Sequence, residues 1–295
     1  MITSRRMAHA AQAVPPGIAA LAVGPFLKWA GGKGQIFPQL LPFFPKSFAR
    51  YHEAFLGSGA VFFNLRRLRG EFPAVLMDTN EELVNCFQVV RDDIESLVPL
   101  LRDHEAAHGQ RYYYSTRDAG THGLSRAQRA ARFIYLNKTC YNGLYRVNSA
   151  GKFNVPVGSY KKPRIFDYGD LQAVARALEG VSIKAADFST ILDGAGKGDF
   201  VYFDPPYYTE NSGFTGYAVN ASGAASFGAD EHRRLFNVFE ILRGRGCHVV
   251  VSNSDTDYIR RLYRKYRRHI VKARRFINCN GSGRHQVSEL VISSE

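Results

Sequence analysis

Cysteine is scarce in this chain, and its four cysteines are too scattered to form a zinc site or a disulfide framework. They are Cys86, Cys140, Cys247 and Cys279. No apolar run is long enough to span a bilayer, which excludes a membrane-spanning segment. The composition therefore predicts a globular protein with reduced thiols in the cytoplasm.

Acidic residues are also few, at 26 against 39 Lys and Arg, and the formal net charge is +13. This imbalance favours a polyanionic partner, of which nucleic acid is the commonest, over generic basicity. The basic residues cluster between Arg260 and Arg275, with Tyr263 and Tyr266 among them. We expect this cluster to contact DNA.

The first 24 residues contain no acidic residue, many alanines and the pair Pro15-Pro16. This composition predicts a flexible tail over residues 1–24, and a transit peptide is the alternative.

Short β-rich runs alternate with segments of helical spacing along most of the chain. The predicted strands are 51–55, 74–78, 181–187, 200–204 and 248–252, and the clearest helices are 60–68, 81–90 and 231–242. This alternation predicts an α/β domain with a mostly parallel sheet and with ligands at the carboxyl ends of its strands. Two final strands, 269–276 and 287–293, are expected to pair antiparallel through the loop at Gly281-Ser282-Gly283.

The stretch 82–168 breaks the alternation. Its helical patterns run through 130–137 and give way to a polar, glycine-punctuated segment at 141–156. Two short extended runs around 148–151, with Gly151 at a turn position, predict a β-hairpin. A hairpin that projects from a helical insert suits the reading of a DNA groove.

Asp204, Pro205, Pro206 and Tyr207 follow the apolar run 200–203, where a strand should end. Two prolines hold the preceding residue extended and donate no hydrogen bond, so a carboxylate, a free carbonyl and an aromatic ring lie together. These groups suit the planar exocyclic amine of adenine or cytosine. The alternative is a loop turned by two prolines.

Phe55, Gly57 and Gly59 follow another predicted strand and precede a helix. Glycines there let the backbone approach a ligand, although a plain strand-to-helix turn has the same pattern. Asp78 ends the next strand, from which a carboxylate can accept hydrogen bonds from ribose hydroxyls. A helix N-cap at Asp78 is the alternative.

Four motifs in this order resemble the Dam-type DNA adenine methyltransferases of the D12 class, alpha group, which use S-adenosylmethionine. They are residues 26–33, 55–59, 137–158 and 204–207. The resemblance implies a Rossmann-like methyltransferase sheet in a catalytic domain of residues 25–81 and 169–295. It also implies a mainly helical target-recognition domain at 82–168, a monomer from a bacterium or phage, double-stranded DNA as partner and no metal.

The same resemblance implies roles for further cofactor residues. Trp29 and Lys33 would close over the methionine part of the cofactor, and core packing is the alternative for Trp29. Lys33 is able to pair with a carboxylate. Asp187 and Phe188 would bind the adenine of the cofactor, although an ordinary strand-end aspartate fits Asp187 about as well.

DNA contacts are implied for six residues of the resembling motifs. Arg146 would read a guanine through its two-pronged guanidinium, and Lys28 would contact a further guanine. Leu144 and Pro156 match apolar contacts to thymine, while Tyr141 and Asn142 match residues that fill the space left by the extruded adenine. Surface or turn roles are the alternative for each, and Ser159 stands where a basic residue is expected.

The predicted reaction is methyl transfer from S-adenosylmethionine to the 6-amino group of an adenine flipped out of duplex DNA, within GATC. The alternatives are an amino-methyltransferase acting on cytosine in DNA or on another nucleic acid, and a non-catalytic DNA-binding protein. The residues leave open a restriction-modification, a chromosomal or a phage setting.

Overall fold

The computed structural model describes residues 23–210, 227–274 and 286–295. The strands in these ranges are β1 (Tyr51–Glu53), β2 (Ala74–Asp78), β3 (Ser182–Ala185), β4 (Phe200–Phe203), β5 (His248–Ser254), β6 (Arg267–Arg274) and β7 (Gln286–Ser293). The helices are α1 (Phe37–Leu40), α2 (Ala60–Arg69), α3 (Glu81–Asp92), α4 (Ile94–Ala106), α5 (Gln110–Asp118), α6 (Arg126–Thr139), α7 (Tyr168–Leu178), α8 (Ala229–Gly244) and α9 (Asp257–Leu262). Short 3₁₀ turns lie at Leu41–Phe43, Tyr141–Gly143 and Phe188–Asp193.

The strands form one seven-stranded sheet in the order β3-β2-β1-β4-β5-β7-β6. The first five strands of this order are parallel, and β7 is antiparallel to both of its neighbours. The predicted mostly parallel sheet with an antiparallel C-terminal pair is therefore confirmed. Strand order reverses between β1 and β4, and open α/β sheets bind ligands at the carboxyl ends beside such a switch point.

Burial explains why β4 appears in the sequence as a continuous apolar run. All four of its residues are buried, because hydrophobic clusters cover both faces of the sheet. Parallel strands packed on both faces lack the alternation of half-exposed strands. The strand ends abruptly at Asp204, which carries the first polar side chain after the run.

The helix after β2 begins at a cap other than the one considered from sequence. Asn80 is the N-cap of α3, and its side chain accepts a hydrogen bond from the Leu83 amide at 3.1 Å. The Asp78 side chain is therefore not needed to start α3 and points to other partners.

Helices α4, α5 and α6 follow α3 and lead into a hairpin that ends near residue 157. Helix α3 packs on α4 and α6 and also on β2, β3 and α7, so the helices of the insert share one hydrophobic core with the sheet. The division into a catalytic domain and a target-recognition domain stays a prediction.

Several predicted features lie outside the described residues. These are residues 1–22 of the predicted tail and the loop at Gly281-Ser282-Gly283. Val23, assigned to the tail from sequence, is buried in the core. Among the described helices, none has both the length and the apolar character needed to cross a membrane.

Candidate active site

Asp204 lies directly after β4, and its side chain is 19% exposed. Oδ2 is 2.8 Å from the Lys33 ammonium. The other oxygen, Oδ1, is buried and accepts no hydrogen bond from the described residues. A buried acceptor left in this condition costs about 1–3 kcal/mol, so the site favours a ligand that brings a donor.

Burial raises the pKa of Asp204 to about 6, while the positive charge and hydrogen bond of Lys33 limit the rise and the Glu289 carboxylate adds to it. Asp204 is therefore mostly ionised at neutral pH. An ionised carboxylate accepts hydrogen bonds from an amine and favours positive charge on it.

Lys33, predicted to bind the cofactor, contacts the predicted catalytic residues. It is buried, and its ammonium donates to the Gly31 carbonyl at 2.7 Å as well as pairing with Asp204. The ammonium also lies 4.9 Å from the centre of the Tyr207 ring. The carboxylate partner expected for Lys33 is thus Asp204 itself.

Tyr207 is half-buried beside Asp204, and its hydroxyl donates to Glu289 Oε2 at 2.7 Å. Burial raises the pKa of Tyr207, and the nearby Asp204 and Glu289 carboxylates raise it further. The hydroxyl therefore stays protonated and remains a donor at neutral pH. Its acceptor lies on the last strand of the sheet, far away in sequence.

The chain after Tyr207 is fastened to the carboxyl end of β5. The Tyr208 amide donates to Asn253 Oδ1 at 3.2 Å, and Ser254 Oγ donates to the Tyr208 carbonyl at 2.6 Å. The Tyr208 ring stacks on Tyr258 at a centroid distance of 4.4 Å. Pro205 is buried and Pro206 exposed within this anchored loop.

Glu53 is a buried acid at the carboxyl end of β1, the strand next to β4. It accepts a hydrogen bond from the Tyr51 hydroxyl at 2.8 Å. Burial raises the pKa of Glu53 to about 8, although the Tyr51 hydrogen bond opposes the rise. Glu53 is therefore mostly protonated at neutral pH, unlike Asp204.

Asp78 and Gly57 meet across the ends of β2 and β1. The Gly57 amide donates to Asp78 Oδ2 at 3.1 Å, and the Asn80 amide donates to Oδ1 at 3.0 Å. Burial raises the pKa of Asp78, and these amide donors oppose the rise. The carboxylate is held by backbone and keeps lone pairs for hydroxyl donors of a ligand.

Gly57 also packs against Trp29. Its φ of 50° is left-handed, and a Cβ atom there would lie 2.9 Å from Cδ1 of Trp29. The indole stacks at 5.7 Å on Tyr145 and at 6.4 Å on Phe133. The partly buried Trp29 thus closes one side of the Gly57 turn and packs on the core, and its contact with the cofactor stays a prediction.

Gly59 has the same left-handed conformation, with φ 68°, and is the N-cap of α2. A Cβ atom there would come within 3.0 Å of the Phe63 ring. The two glycines therefore make the tight turn that places the start of α2 beside Asp78.

Phe55 and Phe188 form an aromatic pair, with ring centroids 5.5 Å apart and an interplanar angle of 27°. Phe188 is buried. The neighbouring Asp187 accepts hydrogen bonds from the Ser189 amide at 2.9 Å and from Arg234 at 2.6 Å. Burial opposes ionisation of Asp187, but the Arg234 and Ser189 donors outweigh it and lower its pKa.

The predicted hairpin is built on two antiparallel bridges, Cys140 to Val157 and Val147 to Phe153. Gly151 has φ 72° at the turn, and its amide donates to the Asn148 carbonyl at 2.9 Å. The hairpin and its turn are therefore where the sequence indicated, although its arms meet in isolated bridges and not in regular strands.

Arg146 is exposed on the first arm of the hairpin. Its Nε donates to Asn154 Oδ1 at 2.7 Å, and the Asn154 amide donates to the Arg146 carbonyl at 3.1 Å. Asn154 lies on the opposite arm and holds the guanidinium across the hairpin.

The other hairpin residues expected at DNA lie close to one another. Tyr141 is 46% exposed, and its amide donates to the Pro156 carbonyl at 2.9 Å. Asn142 and Pro156 are exposed and Leu144 is half-buried. Asn142 has a left-handed φ of 54°, which asparagine tolerates better than most residues. The structure thus brings these four residues to the start and end of one hairpin.

Lys28 reaches this hairpin from the N-terminal segment. Its ammonium donates to the Lys138 carbonyl at 3.0 Å and to the Tyr160 hydroxyl at 2.9 Å. Its amide donates to Asn137 Oδ1 at 2.9 Å. Lys28 is therefore fastened beside the predicted DNA residues, with its ammonium shared among protein acceptors.

Strand β6 carries part of the basic cluster at 260–275, and its basic residues lie at different levels along the sheet. Arg267 pairs with Ser293, which pairs with Val250 in the amino-terminal half of β5. Lys272 pairs with Ser288, beyond the carboxyl end of β5. At about 3.3 Å per residue, these two levels are roughly 17 Å apart. Within β6, the Lys272 end lies at the edge that carries Asp204, and Arg275 lies outside the described residues.

Four residues of the site were not identified from sequence: Glu53, Arg234, Asn253 and Glu289. A signal existed only for Glu53, an acid inside the predicted strand that leads to Phe55. The other three reach the site from elements distant in sequence, so no local pattern marks them.

Predicted ligand residues thus follow the carboxyl ends of β1, β2, β3 and β4, which are adjacent in the sheet. Within the described ranges, no group of three or more His, Cys, Asp or Glu side chains is placed to hold a metal ion. This fold and this distribution of residues define a Rossmann-like methyltransferase.

Comparison with known proteins agrees. A family model described as D12 class N6 adenine-specific DNA methyltransferase matches residues 29–277. The type II methyltransferase M.MjaIII of Methanocaldococcus jannaschii is 40% identical over 290 residues, covering 92% of this chain and 98% of that protein. The type II methyltransferase M1.LlaDCHI of Lactococcus lactis subsp. cremoris is 36% identical over 278 residues, covering 92% and 95%. The DNA adenine methylase of Escherichia coli K12 is 33% identical over 270 residues, covering 90% and 93%.

The chain belongs to the D12 class N6 adenine-specific DNA methyltransferase family. The resemblance seen in the sequence motifs is confirmed. Members of this family use S-adenosylmethionine as methyl donor and DNA as substrate.

Proposed function

We propose that this protein methylates the 6-amino group of an adenine extruded from duplex DNA, at the adenine of GATC. The observation that carries the proposal is the buried Asp204 Oδ1, which accepts no hydrogen bond from the described residues. An exocyclic amine supplies the donor that this oxygen lacks. The ion pair with Lys33 favours the ionised form of the carboxylate and holds its other oxygen, Oδ2, in place.

The residues at the strand ends fit S-adenosylmethionine. Asp78, held by the Gly57 and Asn80 amides, has lone pairs left for ribose hydroxyls. Phe55 and Phe188 offer an apolar aromatic pair for a flat base. Lys33 contacts Asp204 and Trp29 packs on the Gly57 turn, and the methionine part would bind between these residues. When bound, this cofactor supplies a methyl group on a positively charged sulfur.

Asp187 has fewer lone pairs available for the cofactor than its motif implies. Arg234 and Ser189 occupy both of its oxygens, so Asp187 would accept from the cofactor amine through a remaining lone pair. Arg234 also lies 4.3 Å from the centre of the Phe188 ring and would orient both residues.

The protein's own contribution to the reaction is positioning and electrostatics. Asp204 Oδ1 and the Pro205 carbonyl would accept hydrogen bonds from the two amine N–H groups and so direct the nitrogen lone pair. Tyr207 would stack on the base. The Asp204 carboxylate would stabilise the positive charge that develops on the amine nitrogen as the new N–C bond forms and the bond from the methyl group to the donor sulfur breaks. One amine proton would then be released to solvent.

Sequence recognition would lie on the hairpin. Arg146 would read a guanine, with Lys28 at a second one, while Leu144 and Pro156 would contact thymine methyl groups. Tyr141 and Asn142 would fill the space left by the extruded adenine. Support comes from their common place on one hairpin, beside which Lys28 is held by hydrogen bonds to Asn137, Lys138 and Tyr160. We assign residues 82–168 to target recognition and residues 25–81 with 169–295 to catalysis, in a monomer that acts in the cytoplasm.

The test is methylation of random-sequence DNA by the purified protein, followed by mapping of every modified base. We expect N6-methyladenine within GATC. An Asp204→Ala variant should bind S-adenosylmethionine as the wild type does and transfer no methyl group. Methylcytosine, or a near wild-type rate for the variant, would contradict the assignment.

A further inference from the structure

The Tyr207 ring is restrained at several points that the reaction itself does not explain. The hydroxyl donates to Glu289 at 2.7 Å, and the Lys33 ammonium lies 4.9 Å from the ring centre. Just beyond the ring, the Tyr208 amide is bound by Asn253 at 3.2 Å. Of these partners, Glu289 alone contacts the polar tip of the ring, and this contact fixes where the far end of the ring lies.

The antiparallel direction of β7 is what brings Glu289 to this place. Glu289 pairs with Ser254, the last residue of β5. In a parallel strand, a residue this near the start would lie at the opposite edge of the sheet. Because β7 runs backwards, its first residues reach the edge that carries Asp204.

We propose that Glu289 is a positioning residue, which holds Tyr207 in the orientation that stacks the target base. The proposal rests on the proposed function, since it presumes that Tyr207 meets a base. A carboxylate suits this task because a hydrogen bond to an ionised acceptor is about twice as strong as a neutral one. Without this anchor at the hydroxyl, the side chain would be free to rotate about χ1 and move the ring away from the base.

The experiment is a double-mutant cycle of Glu289→Ala and Tyr207→Phe, with kcat, KM for DNA and Kd for S-adenosylmethionine measured separately. Each single variant removes the same hydrogen bond, so each should lower kcat by roughly 5- to 30-fold. The double variant should be no slower than the slower single variant, because the two changes break one interaction. The Kd for S-adenosylmethionine should not change.

Two further variants separate positioning from charge and from folding. Glu289→Gln keeps an acceptor for the Tyr207 hydroxyl, although a neutral and weaker one, and should recover part of kcat. Ser288→Ala changes the adjacent exposed residue, whose side chain points to the other face of the strand, and should behave as wild type. If Glu289→Ala does not fold, Glu289→Gln and Tyr207→Phe still decide the question.

Additive losses in the cycle, or wild-type kcat in Tyr207→Phe, would overturn the proposal. A loss in Glu289→Gln as large as in Glu289→Ala would also overturn it, since the charge and not the hydrogen bond would then matter. Failure of the proposed function has a different signature, because the wild-type protein would then transfer no methyl group to adenine in DNA.

Discussion

The Lys33 ammonium lies 2.8 Å from Oδ2 of Asp204, and both side chains are largely buried. In this environment the charge of Lys33 decides how far burial can raise the pKa of Asp204. The ion pair therefore controls the fraction of the enzyme whose carboxylate is ionised and able to accept hydrogen bonds from the amine.

Replacement of Lys33 by Met should shift the acidic side of the pH–activity profile to higher pH. The pKa of Asp204 is about 6 with Lys33 present, and loss of the cation raises it further because a buried carboxylate without a cation favours its neutral form. The measurement is kcat/KM for DNA against pH at saturating cofactor, which reports groups of the DNA-free enzyme. Lys33→Arg is the charge-preserving control, and an unshifted acidic side of the profile in Lys33→Met would rule out this coupling.

Replacement of Glu53 by Gln should stabilise the protein in a pH-dependent way. Below pH 4.5, the ordinary value, glutamate is protonated in both folded and unfolded chains; the folded pKa is about 8. Between these values the unfolded chain releases the proton and the folded chain keeps it, so wild-type stability falls as pH rises and the loss is complete above about pH 8.

Glutamine cannot ionise and can still accept from Tyr51. The gain in free energy of unfolding for Glu53→Gln should be near zero at about pH 4 and about 1–3 kcal/mol at pH 7. Urea unfolding across this range provides the measurement. Glu95→Gln on the exposed face of α4 is the control, and an equal gain for Glu53→Gln at all pH values would contradict the raised pKa.

Asn154 should influence the same base pair as Arg146. Arg146→Ala should lose about 1–3 kcal/mol of discrimination at one guanine position, and Asn154→Ala should lose part of that at the same position because it releases the Arg146 guanidinium. Rates on the preferred site and on its single-base variants measure the effect. Lys152→Ala at the exposed hairpin tip is the comparison, and loss spread evenly over all variants would make Arg146 a backbone contact.

Charge reversal should distinguish the Arg264 end of the basic cluster at 260–275 from the basic residues next to the hairpin. Arg264→Glu with Lys265→Glu changes exposed residues near the amino-terminal level of β6, and should not affect methylation of a short duplex that covers only the recognition sequence. Lys161→Glu with Lys162→Glu changes exposed residues next to the hairpin, and should reduce the slope of log K against log salt by about 1 to 2 units. Equal effects of the two pairs would show that the Arg264 end of the cluster also contacts DNA.

Local patterns were sufficient wherever a feature depends on neighbours in sequence. The strand before Asp204, the Gly57 and Gly59 turn and the hairpin around Gly151 could all be predicted, because apolar runs, left-handed glycines and turn residues act within a few positions. The strand ends carried their polar residues in recognisable motifs, and these motifs also indicated the family.

Partnerships between distant segments were decided only by the tertiary structure. The sequence predicted a functional Lys33 and a functional Asp204 but not that they pair, and nothing near Glu289 indicates that it holds Tyr207. Strand order and the reversed direction of β7 determine which side chains meet at the carboxyl edge. Burial raises the pKa of both Asp204 and Glu53, two acids at neighbouring strand ends. They differ in charge at neutral pH because the adjacent Lys33 ammonium limits the rise for Asp204, whereas for Glu53 burial outweighs the hydrogen bond from Tyr51.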